Sequence, residues 1–182
     1  HCWSDRPGKW WPQPVQRPKD TPPVPATLEW DLWLGAAPER PYHPCYLPAK
    51  WRGWFDFGNG AMGDMAVHNM DPAFYALDLD TPVATEAQTS ESSPDGFPTW
   101  EIITYEFAAK GARPAVKIKW YDGGKQPDRP EELDDGFKLG DNGIIFRGEK
   151  GVIFCEGWAG MPRLFPKTLR AGFQPPPKTI AR

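Results

Sequence analysis

Proline limits what this chain can fold into more than any other residue type does. There are 23 prolines among its 182 residues, and they are dense in residues 4–27 and again in the tail from Gly160. Because proline has no amide hydrogen to donate, neither a helix interior nor a central strand suits such segments. We predict an extended arm over residues 1–27, a folded domain over residues 28–160, and a C-terminal tail over residues 161–182 that packs on the domain.

The arm also carries two adjacent tryptophans, Trp10 and Trp11. A flexible linker rarely contains such a pair, so we expect the arm to lie over a surface and to be anchored by these side chains.

Composition narrows the class of protein. An apolar fraction of 40% and a charged fraction of 25% suit one domain with a core. The net charge is −3 and no basic stripe is present, which argues against nucleic acid as a partner. Cys2, Cys45 and Cys155 are odd in number and widely spaced, so we expect free thiols. No apolar run approaches the ~20 residues of a membrane span, so no membrane partner is predicted.

The stretch Trp51–Leu77 holds the densest aromatic run and leads into a helical pattern. A turn at residues 57–60 precedes a helix that we expect to run from about Ala61 to about Leu77. Pro72 lies inside this pattern and either kinks the helix or starts a second one with Asp71 as its cap.

Asp64 and His68 are four residues apart, so both side chains project from one face of that helix. A carboxylate beside an imidazole can orient the ring, which is the arrangement that a general base needs. The alternative is an ordinary polar face after a helix cap. A third metal ligand is not evident, so no metal site is predicted.

Aromatic residues surround a possible binding surface in the same region. Arg52 lies between Trp51 and Trp54, where a guanidinium could bind hydroxyls or carboxylates while the indoles stack on a sugar. The alternative is that both tryptophans are core and that Arg52 reaches a carboxylate such as Asp56. The candidate substrate-binding residues are Arg52, Trp51, Trp54, Trp30 and Tyr42.

From residue 82 the apolar period changes to two, which is typical of strands. The predicted strands are residues 82–89, 100–107, 115–121, 143–147 and 151–155. Helix followed by hairpin-connected strands predicts an α+β fold: an open, predominantly antiparallel sheet with helices on one face and Pro-rich arms. No GxGxxG fingerprint, P-loop, GxSxG or HExxH motif occurs.

Four segments together resemble a known family. They are LEWDLWLGAAPERPY, WRGWFDFGNGAMGDMAVHNMDPAF, the strand end WYDGG and the hairpin RGEKG. This combination is similar to the C-terminal domain of Gfo/Idh/MocA oxidoreductases, the glucose–fructose oxidoreductase and inositol dehydrogenase superfamily, and to its bacterial sugar dehydrogenases in particular. The resemblance implies that an N-terminal Rossmann domain, which binds NAD or NADP and carries a catalytic lysine, is absent here. We therefore expect the chain to be a piece of a longer polypeptide and to be inactive alone.

The resemblance also implies roles for residues. His68 matches the catalytic histidine, the acid/base at the substrate hydroxyl, and Asp64 matches the aspartate one turn earlier, which orients substrate or histidine. The implied partners are a small-molecule sugar or polyol and further copies of the chain, which associate through the sheet face. The alternatives are an NAD-dependent glycoside hydrolase of the same superfamily and a non-catalytic carbohydrate-binding or assembly domain. The compartment, bacterial cytoplasm or periplasm, stays open.

Overall fold

The computed structural model describes residues 1–177 and Thr179. Seven strands and four short helices make up its regular structure. The strands are β1 Cys2–Ser4, β2 Ala84–Thr89, β3 Glu101–Phe107, β4 Val116–Tyr121, β5 Asn142–Gly148, β6 Gly151–Glu156 and β7 Arg163–Phe165. The helices are α1 Arg6–Lys9, α2 Trp30–Leu34, α3 Val67–Leu77 and α4 Lys167–Ala171, with 3₁₀ turns at Pro44–Tyr46 and Lys50–Gly53 and a π-helical turn at Met62–Ala66.

All seven strands form one sheet in the order β2-β3-β4-β1-β5-β6-β7. Every neighbouring pair is antiparallel except β1 and β4, which run parallel. The predicted α+β class with a mostly antiparallel sheet is therefore confirmed.

Helix α3 packs on one face of this sheet because its apolar side chains recur at helical spacing. Met70 and Ala73 of α3, and Met65 of the π-helical turn before it, are buried with Trp120 and Ile144 in the main core. The opposite face is covered in its centre by the long loop between β4 and β5. That loop contributes Leu133 and Phe137 to a second core, which contains Trp3, Tyr121, Ile145, Val152, Phe154 and Phe165.

The first residues of the chain correct one expectation. The predicted arm over residues 1–27 begins instead with β1, which lies between β4 and β5 in the middle of the sheet. Cys2 pairs with both Trp120 and Ile144, and its neighbour Trp3 is fully buried. Three residues are too few to show an alternating pattern, so pairing with two long neighbours determines this strand. After β1 the segment is mostly irregular, with Trp11 buried and Trp10 exposed.

Pro72 neither breaks the helix nor starts a new one, because α3 includes it in its interior. The carbonyl that loses its usual amide donor belongs to His68, an exposed residue that water can reach. Immediately before α3, the backbone widens into the π-helical turn Met62–Ala66.

The C-terminal segment adds β7 to the edge of the sheet, and Phe165 is fully buried there. Part of the predicted tail, Lys178 and residues 180–182, lies outside the described residues. The division into arm, domain and tail stays a prediction. Among the helices of the described residues, none has the length and apolarity needed to cross a membrane.

Candidate functional site

The helix that carries Asp64 and His68 is entered through a tight glycine turn. Gly60 has a φ of +59°, a region that favours glycine, and a Cβ at this position would lie 2.7 Å from the ring of Phe97. The turn therefore fixes where the helix starts relative to the loop that contains Phe97.

The register of the helix decides which side chains are available for chemistry. Met65, Ala66 and Met70 face the sheet and are buried, whereas Asp64 is half-buried and His68 is exposed. Both predicted catalytic residues thus lie on the side of the helix that faces away from the core, as their spacing indicates.

Asp64 is held by arginines and not by His68. The Nε of Arg52 donates to Oδ1 of Asp64 at 2.7 Å, and a guanidinium nitrogen of Arg6 lies 4.0 Å from Oδ2. Within residues 1–177, no hydrogen bond or ion pair joins Asp64 to His68. The π-helical turn contains Asp64, and its wider winding alters the angular offset that a regular α-helix gives to residues four apart.

The imidazole of His68 lies near the indole of Trp158, with 6.5 Å between ring centroids. Trp158 follows β6 and is positioned by Asn69, the residue after His68. Asn69 is fully buried, its Nδ2 donates to the carbonyl of Trp3 at 2.8 Å, and its Oδ1 accepts from the backbone N–H of Trp158 at 3.0 Å. Asn69 therefore ties the histidine helix to β1 and to the Trp158 turn.

Arg52 brings further aromatic surface to Asp64. It lies on the 3₁₀ turn Lys50–Gly53, and its guanidinium is 5.5 Å from the ring centroid of Trp11 and 5.7 Å from that of Trp51. Arg52 and Trp51 are both half-buried. Of the predicted substrate-binding residues, Arg52 contacts Asp64 directly, and Trp51 lies beside Arg52.

The other three predicted contacts belong to a different group of aromatic side chains, in which Trp54 and Tyr42 are buried and Trp30 is partly buried, and their role in substrate binding stays a prediction. Trp54 is 1% exposed and its indole donates to the carbonyl of Cys45. Trp30 donates to the carbonyl of Arg40 and meets Tyr42 edge to face at 5.4 Å. Their N–H groups are already satisfied within the fold, and Tyr42 is buried. The carboxylate of Asp56, considered above as a partner for Arg52, is instead bound by Arg40.

Three residues that sequence reasoning missed complete the surroundings of Asp64 and His68. They are Arg6, Trp11 and Trp158. Each comes from a segment far along the chain from the histidine helix, so no local spacing could have assigned them. The pair Trp10–Trp11 was the one available signal.

A buried pair of carboxyl groups lies at the end of the β3–β4 ladder. The backbone N–H of Glu101 and the indole of Trp120 both donate to the carboxyl of Asp122, at 3.0 and 2.9 Å. Burial, and then the neighbouring Glu101, raise the pKa of Asp122 to about 8. Burial likewise raises the pKa of Glu101. The pair therefore retains a proton at neutral pH.

The described residues hold no group of three or more His, Cys, Asp or Glu side chains arranged for a metal ion. His43 accepts a hydrogen bond from the backbone N–H of Cys45 at 3.1 Å and so caps a 3₁₀ turn. All three cysteines are free, and burial raises the pKa of Cys2 to about 11 and that of Cys45 to about 11. These thiols remain protonated at neutral pH and are poor nucleophiles.

Comparison with models of known protein families gives a match over most of the chain. No curated protein matches this chain. The sequence model described as "Oxidoreductase family, C-terminal alpha/beta domain" matches residues 9–154, well over half of the chain, and spans α2, α3, strands β2 to β5 and most of β6. The chain therefore belongs to the Gfo/Idh/MocA oxidoreductase family and is its C-terminal alpha/beta domain.

Proposed function

We propose that this chain is the substrate-binding domain of a sugar or polyol oxidoreductase in which His68 exchanges the proton of the substrate hydroxyl. The observation that carries the proposal is an exposed imidazole beside an indole, on a helix that also presents an arginine-bound carboxylate. The apolar faces of a sugar ring can pack on indoles, and its hydroxyls can bind charged polar groups.

The arrangement suits proton transfer at one substrate oxygen. Oxidation of an alcohol removes the hydroxyl proton, and a neutral imidazole can accept it. Arg52 fixes Asp64 through Oδ1, which leaves Oδ2 able to accept a hydrogen bond from a second hydroxyl. In this proposal His68 is the acid/base, and Asp64 with Arg52 orients the sugar.

The family is generally NAD(P)-dependent, and a bound nicotinamide would exchange hydride with the substrate carbon. The described residues do not fit such a cofactor. Their sheet is antiparallel apart from the short β1–β4 pair, and the Gly58–Gly60 turn does not follow a strand of a parallel sheet. We assign the cofactor to another domain of the whole protein, and accordingly expect this chain alone to be inactive.

The test is the substitution His68→Ala in a full polypeptide that includes a cofactor-binding domain. Loss of an acid/base group is expected to lower kcat for sugar oxidation by roughly 10²- to 10⁴-fold, with substrate KM changed far less. The measurement is the rate of reduced-nicotinamide formation over a panel of sugars and polyols. His43→Asn is the matched control, because it removes a histidine while keeping an acceptor for the Cys45 amide. Sugar oxidation that survives His68→Ala would show the assignment to be wrong.

A second candidate is a carbohydrate-binding domain without catalysis, and the exposed indoles of Trp10 and Trp158 favour it. One comparison of variants distinguishes the two candidate functions. If sugar binding by this chain survives His68→Ala but fails with Trp51→Ala, and no sugar is oxidised by the full polypeptide, the binding role is preferred. A glycoside hydrolase would instead cleave glycosides without net consumption of cofactor.

A further inference from the structure

Arg6 brings a second guanidinium to the site from the segment just after β1. Its backbone position is fixed on both sides: the N–H of Arg6 donates to the hydroxyl of the buried Ser4, and its carbonyl accepts from Trp10 at 2.9 Å. The N–H of Asp5 donates to the carbonyl of Asp141 at 3.0 Å. The side chain therefore starts from a rigid point at the end of a central strand.

The guanidinium of Arg6 lies between two exposed indoles. Its Cζ is 4.2 Å from the ring centroid of Trp10 and 4.9 Å from that of Trp158. Trp10 is 65% exposed and Trp158 is 49% exposed. Trp158 is also the indole beside His68, so it links Arg6 to the proposed acid/base. Stacking of this kind orients the plane of the guanidinium while leaving its N–H edge open.

The donors of Arg6 have few partners in the described part of the chain. Its Nε is buried and has no hydrogen-bond partner there. The carboxylate within reach is that of Asp64, at 4.0 Å, and Asp64 is already bound by Arg52 at 2.7 Å. The nearby carboxylates of Asp5 and Asp141 are both paired with Lys9.

Two guanidiniums, those of Arg6 and Arg52, share one carboxylate, that of Asp64. Asp5 and Asp141 in turn share Lys9, so the cluster as a whole is neutral, but Arg6 has no carboxylate of its own. A half-buried arginine with open, planar donors is suited to an oxyanion, which can accept two parallel N–H bonds from it.

We propose that Arg6 is a specificity-determining residue that binds an oxyanion group on the substrate, so that the sugar taken by this site is acidic. The shared chemistry is a carboxylate or a phosphate carried by a sugar ring. Arg6 binds the anion, Trp10 and Trp158 flank it, and His68 acts on a hydroxyl of the same molecule. The inference rests on the proposed function and extends it to a substrate class.

The experiment compares ligands that share a ring but differ in charge. Glucuronate, glucose 6-phosphate and glucose are titrated into the full polypeptide, and binding is measured by calorimetry. Glucuronate or glucose 6-phosphate is expected to bind roughly 10- to 100-fold more tightly than glucose. The reason is that Arg6 can donate charge-assisted hydrogen bonds to the anion, which glucose lacks. The preference should weaken as salt is added. Whichever anion binds more tightly identifies the group as carboxylate or phosphate.

Substitution tests whether Arg6 is the cause. Arg6→Met should remove most of the preference, and Arg6→Lys should keep part of it because the charge remains without the planar donor pair. Arg17→Met is the control: it removes a guanidinium that is paired with Asp95 on the surface, and should leave the preference unchanged. Equal affinity of the wild type for charged and neutral sugars overturns the inference, as does a preference that survives Arg6→Met.

The inference and the proposed function fail in different ways. If sugars are oxidised but charged and neutral ones bind equally, the role of Arg6 is wrong and the oxidoreductase proposal stands. If the anion preference depends on Arg6 but no sugar supports nicotinamide reduction, the catalytic proposal fails alone. Arg6→Lys keeps the comparison usable should Arg6→Met prove unstable.

Discussion

At the scale of single residues, the carboxyl pair Glu101–Asp122 makes stability depend on pH. The ordinary pKa of Asp122 is 3.8, and in the folded protein it is about 8, mainly because the side chain is buried. Below about pH 4 both the folded and the unfolded chain hold the proton, so the pair makes its full contribution to the free energy of unfolding. Between about pH 4 and 8 the unfolded chain releases a proton that the folded chain keeps, and the free energy of unfolding falls as pH rises.

We therefore predict that Asp122→Asn reduces this dependence. The wild type should lose on the order of a few kcal/mol of unfolding free energy between pH 5 and pH 8, and the variant clearly less. Urea unfolding at several pH values measures how the free energy of unfolding changes with pH, the slope for each protein. Glu149→Gln, which removes an exposed carboxylate in the β5–β6 turn, should keep the slope of the wild type. Parallel slopes for wild type and Asp122→Asn would contradict the prediction.

The candidate site could be predicted at this scale only in part. Helical spacing predicts that Asp64 and His68 share one face of a helix, and both lie away from the core, because the apolar residues face the sheet. It could not reveal that Asp64 binds Arg52 and Arg6, since those contacts depend on how distant segments pack. Aromatic composition likewise could not separate Trp51, near Arg52, from Trp54, which is core.

At the scale of elements, β1 is the strand on which the continuity of the sheet depends. It lies between β4 and β5 and provides hydrogen bonds to both. Trp3 is 0% exposed, packs in the second core with Phe154, and donates its indole N–H to the carbonyl of Gly140 at 2.8 Å. Removing this side chain leaves a cavity at the middle of the sheet and takes one of two hydrogen bonds from the Gly140 carbonyl, which also accepts from Gln126 at 3.0 Å.

Trp3→Ala is accordingly expected to lower the free energy of unfolding by roughly 3–5 kcal/mol. Trp10→Ala is the matched control, because Trp10 is largely exposed and its removal should cost less than about 1 kcal/mol. Denaturant unfolding followed by circular dichroism measures both. Similar losses for the two variants would mean that β1 is not central to stability. Trp10→Ala should nonetheless weaken anion binding if Arg6 acts as proposed.

Five strands and the main helix could be predicted from sequence, whereas β1 and β7 could not. The five predicted strands have six or seven residues each, enough for side chains to alternate between two faces. β1 and β7 have three residues each and exist because longer neighbours pair with them. The passage of α3 through Pro72 was also beyond a local rule, since it depends on which carbonyl can be left to water.

At the scale of the whole molecule, the two ends of the sheet differ in how they are covered. The β5–β7 end has the second core and its loop on the face opposite α3, whereas all six residues of β2 are exposed. On that same face, the register of β2, β3 and β4 aligns Glu86 with Thr104 and Lys119, and Ala84 with Glu106 and Lys117. Acidic side chains thus lie on β2 and β3, and basic ones on β4.

We propose that this face is where copies of the chain associate. A two-fold contact places the same surface on both partners. Glu106 is already paired with Lys117 of its own chain at 2.8 Å, so the charges that can meet across such a contact are those of Glu86 and Lys119. Sedimentation velocity should then give a dimer or a larger assembly in which Lys119→Glu lowers the assembled fraction by about tenfold or more, because it opposes like charges. Lys150→Glu makes the same charge change in the exposed β5–β6 turn and should leave assembly unchanged. Raising the salt concentration should weaken the assembly of the wild type, because the facing charges are only partly desolvated. A monomer at every concentration, or equal effects of the two substitutions, would exclude this face as the interface.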